Sequence, residues 1–276
     1  MSLAAAGLAA AGAAPVAASA GQVIPTRLLG LRFLVLGRAP DGATLRFWLD
    51  DDGSGFVFAD VVKRYGLDPK APDFFARLIP GGEVPPQARP LPVIARTRAD
   101  PLFADIDGQL GASWFTGRLV SLDYPAARLT ILAPGSPFPA DEPQRGQFGD
   151  ILGIRLRVTL DVAASVALKS GNVRAGGLGP LRATTFIRHQ LMRQLAAQQP
   201  DWGYKQNVGV VPGIDSLLVG GITFGGIAFQ DVLCTTRPHD DVFARQTIDL
   251  KLGANAFGDR VLLLDGQRDT FGFLSS

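Results

Sequence analysis

The chain has 276 residues, enough for two ordinary domains, and its 47% hydrophobic and 19% charged content fits a packed globular protein rather than a disordered one. Its 27 basic and 25 acidic side chains nearly cancel, and the basic ones are scattered without interleaved aromatics, so a nucleic-acid partner is not expected. The 33 glycines and 20 prolines are spread throughout, which favours many short strands and tight turns over long helices. In chain order, residues 1–20 carry no charged side chain, and Ala18-Ser19-Ala20 has the small-residue pattern of a signal-peptidase site. The segment lacks a basic start. Two readings therefore stand: an export signal of a periplasmic or secreted protein, or a low-complexity tail of a cytoplasmic one. No later stretch is long and apolar enough to predict a stable membrane span.

Arg32 to Leu36 predicts a strand, Pro40-Asp41-Gly42 a turn, and Thr44 to Leu49 the returning strand. Ala59 to Tyr65 predicts a short helix closed by Gly66. Leu119 to Leu122 and Arg128 to Leu132 predict a strand pair around Tyr124-Pro125-Ala126-Ala127. Residues 133–150 are rich in proline, glycine and charge, as a boundary between lobes would be. The expected division is a signal or tail over 1–20, an N-terminal lobe over 21–133, a linker over 134–150 and a C-terminal lobe over 151–276. In the second lobe Thr184 to Gln198 predicts a helix, and Gly220-Gly221 and Gly225-Gly226 predict turns around a short strand. Cys234, in an apolar run, reads as a small buried residue, and His189 as a surface or partly packed one. With one cysteine and two histidines, neither a zinc set nor a nucleophile–histidine triad assembles.

The two halves echo each other. DGQLGASWFTGRLVSLD at 107–123 aligns without a gap to DLKLGANAFGDRVLLLD at 249–265, with eight identities in 17 positions. Upstream, LRFWLD at 45–50 answers LRVTLD at 156–161. Asp50 and Asp161 each follow an apolar strand, where a carboxylate is costly unless it is hydrogen-bonded or functional. If the lobes pack about a pseudo-twofold axis, these strand ends meet. Two adjacent carboxylates cannot both ionise cheaply, so such a pair would share a proton, activate a water and titrate as a unit.

These residues resemble the bacterial retropepsin-like aspartic proteases in a two-lobed single-chain form. The resemblance rests on FWLDDDGSGFVF at 47–58, DGQLGASWFTGRLVSLDYPAARLTI at 107–131, VTLDVAASVAL at 158–168 and DLKLGANAFGDRVLLLD at 249–265. It implies a mainly β fold of two tandem acid-protease lobes related by pseudo-twofold symmetry, closed and barrel-like, with short helices. It places the catalytic aspartates on Asp50 and Asp161, since Leu49 and Leu160 precede them and Val57 and Leu168 lie seven positions beyond. A register with Asp51 as the acid aligns Gly53 with the family glycine but leaves Asp50 inside the strand.

The implied active-site loops are Asp51, Asp52, Gly53 and Ser54 in lobe one, and Val162, Ala163, Ala164 and Ser165 in lobe two. Both depart from the family's Asp-Thr-Gly pattern: the threonine position holds Asp51 and Val162, and the glycine position Asp52 and Ala163. The implied function is an aspartic endopeptidase that acts on a peptide or unfolded protein laid in the inter-lobe cleft. The alternative is an inactive relative that keeps the lobes for peptide binding or structural service. No cofactor is implied, and a monomer suffices because both lobes lie in one chain. Asp50 to Ser54 and Asp105 to Gly108 also offer oxygen ligands for calcium, but Val61 and Thr116 stand where an EF-hand loop needs glutamate.

Overall fold

In a computed structural model the described residues are 21–29, 31–50, 55–71, 74–78, 91–96, 105–133, 135–138, 144–145, 154–158, 162–169, 185–208, 212–224, 227–238 and 249–274. The first half contains β1 (Gln22–Ile24), β2 (Thr26–Leu29), β3 (Arg32–Arg38), β4 (Thr44–Leu49), β5 (Phe56–Phe58), α1 (Ala59–Tyr65), α2 (Phe74–Leu78), β6 (Val93–Ile94), β7 (Gly108–Leu110), α3 (Ala112–Phe115), β8 (Leu119–Asp123), β9 (Arg128–Ile131) and β10 (Gln144–Arg145). The second contains β11 (Ile154–Val158), β12 (Val162–Lys169), β13 (Thr185–Ile187), α4 (His189–Gln198), β14 (Ser216–Phe224), β15 (Ile227–Thr235), β16 (Leu250–Gly253), α5 (Ala254–Phe257), β17 (Val261–Asp265) and β18 (Thr270–Leu274). The fold is mainly β with short helices, as expected.

Local chemistry explains the lobe-one elements. The β3–β4 turn is closed by the Ala39 and Gly42 N–H groups and by Asp41, whose carboxylate accepts the Ala43 N–H at 2.9 Å. Gly42, at φ 88°, supplies the backbone conformation that side-chain-bearing residues resist. On one face of the β3–β4 ladder, Phe33, Val35, Leu45, Phe47 and Leu49 are buried. On the other, Arg46 is exposed and Trp48 half-buried, the alternation of a strand with one side on a core. In α1, Asp60 lies in the first turn and Lys63 and Arg64 in the last, each matching the helix dipole. Gly66, at φ 61°, caps it by donating its N–H to the Val62 carbonyl.

Three sheets result. Lobe one carries the order β2-β3-β4-β7-β5-β6, which is open among the described residues; the strands β11-β12-β16-β13-β15-β14 close into a barrel in lobe two. The third sheet, β1-β9-β8-β17-β18-β10, draws strands from both halves. Its central antiparallel pair runs Leu119↔Asp265, Val120↔Leu264, Ser121↔Leu263, Leu122↔Leu262 and Asp123↔Val261. The gapless alignment of 107–123 with 249–265 makes Leu119 the counterpart of Val261 and Asp123 that of Asp265. The ladder is therefore its own mirror about the Ser121↔Leu263 pair, and the pseudo-twofold axis passes there. Matching bonds flank the axis: Tyr124 N–H donates to the Arg260 carbonyl at 3.3 Å, and Gly266 N–H to the Arg118 carbonyl at 2.8 Å.

Two lobe-two expectations need correction. The expected helix Thr184 to Gln198 begins only at His189, and Thr185–Ile187 form β13 instead. These β-branched and aromatic residues are wholly buried between β15 and β16, where strand pairing outweighs helical periodicity. Gly220 and Gly221 are not turn residues; they lie inside the nine-residue strand β14. At Gly220 a Cβ would stand 2.8 Å from the Trp202 indole nitrogen, so the missing side chain admits the ring. Cys234 is fully buried, and burial pushes its thiol far above the ordinary range. Among the described residues no helix is long and apolar enough to cross a membrane.

Candidate functional site

Asp50 follows the last residue of β4 and is half-buried; its N–H donates to the Leu110 carbonyl at 2.9 Å. The strand is held there by parallel pairing to β7, with Phe47 opposite Gly108, Trp48 opposite Gln109 and Leu49 opposite Leu110. Glycine at 108 is required by packing, because a Cβ would meet the Phe56 carbonyl oxygen and approach the Phe47 ring to 3.0 Å.

Electrostatically, Asp50 belongs with Arg32. The β3–β4 register ends at Leu34 opposite Trp48; Arg32 and Asp50 each lie two residues beyond that pair, close enough for their charges to interact. The Arg32 guanidinium lies over the Trp48 ring, 4.5 Å from its centroid. Burial pushes Arg32 below its usual range, and the negative charge of Asp50 opposes that shift. Asp51, Asp52, Gly53, Ser54 and Asp161 lie outside the described residues.

Lobe two repeats this architecture with a different register from the one expected. The strand that runs parallel to its Leu-Gly-Ala strand is β12, with Val166 opposite Leu250, Ala167 opposite Lys251, Leu168 opposite Leu252 and Lys169 opposite Gly253. Leu110 and Leu252 are counterparts, so Leu168 corresponds to Leu49 and not to Val57. Val57 corresponds to Ile187: Val57 pairs with Gly108 and Ile187 with Leu250, and the following N–H donates to the Asp107 carbonyl in one lobe and the Asp249 carbonyl in the other. The LR..LD echo is likewise not one of position, since Leu156 to Val158 lie in β11. Val162, Ala163, Ala164 and Ser165, expected as a loop, form the first half of β12, opposite Val158, Arg157, Leu156 and Arg155. Val162 stands seven residues before Lys169, roughly 23 Å away along an extended strand. Arg32 and Lys169 lie outside the expected site. The signals for them are the strand position of the first and, for the second, the apolar Val166–Leu168 run leading into Lys169-Ser170-Gly171.

The acids that close the 17-residue echo are turn caps. Asp123 accepts the Ala126 N–H at 2.9 Å, and Asp265 accepts those of Gln267 and Arg268 at 2.9 and 3.1 Å. Each turn ends in a residue at φ 50°, Ala127 in one and Asp269 in the other. His189 is tied to the Gly213 carbonyl at 3.1 Å. Among the described residues no three His, Cys, Asp or Glu side chains group as a metal site requires.

A polar cavity of about 450 Å³ opens on lobe one among Arg46, Asp60, Arg64, Arg96, Asp105 and Asp107. Arg96 bridges it, pairing with Asp60 at 3.0 Å and donating to the Ile106 carbonyl at 2.8 Å. Burial raises the proton affinity of Asp107, although its carboxylate accepts the Arg46 N–H at 2.8 Å. A carboxylate with a raised folded-state pKa keeps its proton longer when folded, so stability falls as pH rises from the ordinary carboxylate value through the raised one. Asp107→Asn keeps an acceptor for Arg46 and removes the titration. Its urea midpoint at neutral pH should equal or exceed that of the native chain, with the difference vanishing in acid; a clear loss at neutral pH would reject this.

No protein-family model matches the chain, and no curated protein matches it in sequence. Among solved structures, the aspartic proteinase from Irpex lacteus is similar with a TM-score of 0.51 and 13% identity, covering 93% of this chain and 98% of that one. Basic 7S globulin from soybean matches with a TM-score of 0.49 and 11% identity over 94% of this chain and 95% of that one. With its mirrored central ladder and repeated parallel pairing, the chain has the two-lobed fold of the aspartic proteinases.

Proposed function

We propose that this protein binds extended peptide or unfolded protein between its lobes and does not hydrolyse it by a shared-proton acid pair. The fold supports peptide binding, and the charge interaction of Arg32 with Asp50 carries the second half of the reading. Arg32 gives Asp50 a cationic partner within its own lobe, whereas an acid pair works through a proton shared between two carboxylates. The alternative, hydrolysis by Asp50 and Asp161, is favoured by the placement of Asp50 at the end of a central strand, half-buried and anchored to Leu110.

Incubating the full chain with labelled casein and a peptide pool from pH 3 to pH 7 separates the two. Retention of peptide without new cleavage products is expected, and Asp50→Asn should leave the absence of cleavage unchanged. Acid-dependent cleavage lost in both Asp50→Asn and Asp161→Asn would overturn the proposal in favour of the hydrolase. Failure to retain any peptide would overturn it in favour of a structural role.

Residues 1–20 we read as an export signal, on the strength of Ala18-Ser19-Ala20. N-terminal sequencing of the protein from its producing cell should begin at or near Gly21; an intact Met1 on most molecules would reject processing.

A further inference from the structure

We propose that Lys169 holds in lobe two the position that Asp50 holds in lobe one, so that the pseudo-twofold axis relates an acid to a base. The assignment deepens the non-hydrolytic reading of this site, on which its functional meaning rests.

Three registers fix it. Leu49 stands opposite Leu110, and Leu168 stands opposite Leu252 in the same parallel sense. The next residue is Asp50 in one lobe and Lys169 in the other, the latter opposite Gly253. Both continue into the antiparallel strand that opens the following helix, β5 before α1 and β13 before α4, and the matching N–H bonds to Asp107 and Asp249 hold those strands in equivalent places. The spans differ in length: Leu49 to Val57 is eight positions and Leu168 to Ile187 is nineteen. A fixed spacing therefore cannot carry the register from one lobe to the other. Position 170 is a small hydroxyl residue and position 171 a glycine, the residue types that follow the acid in Asp-Thr-Gly.

Lobe one packs against α5, the helix that follows Gly253. Leu31, next to Arg32, packs so closely on Gly258 that a Cβ there would stand 2.9 Å from the leucine methyl. Gly258 ends α5, which begins directly after Gly253. Tyr124 packs its ring on Phe33 of β3 at 5.0 Å and on Phe257 of α5 at 5.5 Å. Leu31 and Phe33, on either side of Arg32, thus reach α5 directly and through Tyr124, and α5 follows the residue that stands opposite Lys169. Two acids at axis-related positions call for a shared proton, whereas an acid and a base at those positions call for none.

A double-mutant cycle on the full chain tests the assignment through stability alone. Urea midpoints would be measured at neutral pH and low salt for Asp50→Asn, Lys169→Met and their combination, beside Asp161→Asn and its combination with Asp50→Asn. The combined loss at 50 and 169 should fall short of the sum of the single losses, and that shortfall should shrink in high salt. The losses at 50 and 161 should add. Lys169→Arg, which keeps the charge, should hold the native midpoint, and Lys169→Gln replaces the methionine variant in the cycle should that one not fold. Additive losses at 50 and 169, or non-additive losses at 50 and 161, would overturn the assignment. Because no peptide enters the measurement, a protein that binds none leaves it standing, and additivity at 50 and 169 removes it even in a protein that binds peptide well.

Discussion

Phe257→Ala should cost about 3–5 kcal/mol of stability, the range for removing a large aromatic from a core that cannot collapse around the void. Phe257 is fully buried at the end of α5. Its ring sits 5.5 Å from Tyr124 and 5.6 Å from Phe273, in tilted to edge-on geometry. Tyr124 in turn meets Phe33 at 5.0 Å, and Phe273 meets Phe229 at 5.3 Å. A line of rings, Phe33-Tyr124-Phe257-Phe273-Phe229, therefore runs from β3 of lobe one into the β15 hairpin of lobe two, and Phe257 is its middle member. Removing it separates the lobe-one pair of rings from the lobe-two pair. Urea unfolding of the variant should show the lowered midpoint together with a broadened or two-step transition, as the lobes lose cooperativity. A sharp transition within about 1 kcal/mol of the native value would mean that the central sheet alone couples the lobes.

The first lobe was legible because its signals are local. The Arg32 strand, the Asp41-Gly42 turn, the Thr44–Leu49 return and the helix from Ala59 to Gly66 each follow from a few neighbouring residues, and the structure places them where the pattern does. The Leu-Gly-Ala strands were legible because their echo has no gap. The second lobe hid its counterpart of Asp50 for two reasons. Its connection between the parallel pair and β13 is longer, so a spacing of seven carried over from lobe one lands on the wrong strand. A search for a second acid also passes over Lys169. Thr185–Ile187 read as helix because Phe186 falls on the apolar face of α4 when the periodicity is extended backwards, while the strands that bury it lie roughly 50 and 65 residues away in sequence. Arg32 carries no local mark of its place near Asp50, because that place depends on strand register, which no short window contains.

The pseudo-twofold axis leads to the last expected result, a loss of about 2–3 kcal/mol in Gly266→Ala, the upper part of the usual range for overpacking a site that cannot relax. Gly266 is the counterpart of Tyr124, and Phe115 that of Phe257. The same contact therefore exists twice: in one lobe a tyrosine ring packs against Phe257, and in the other a glycine lets the backbone of Phe115 approach directly. A Cβ on Gly266 would overlap the Phe115 carbonyl oxygen, stand 2.6 Å from its carbonyl carbon and 3.2 Å from the Thr116 Cα. These are main-chain atoms, so no rotamer change relieves the clash. The backbone there is also fixed by bonds in both directions, Gly266 N–H to the Arg118 carbonyl at 2.8 Å and Gly117 N–H to the Gly266 carbonyl at 3.2 Å. Relief requires Gly266 and the end of α3 to part, which lengthens both bonds and opens the β8–β17 pairing next to the axis. The loss should appear in urea denaturation, and amide exchange of Arg118 to Val120 should accelerate ahead of the outer strands β1 and β10. A native midpoint and unchanged exchange at Val120 would show that the lobes tolerate the separation, and the close approach of Gly266 to Phe115 would then not be what sets their distance.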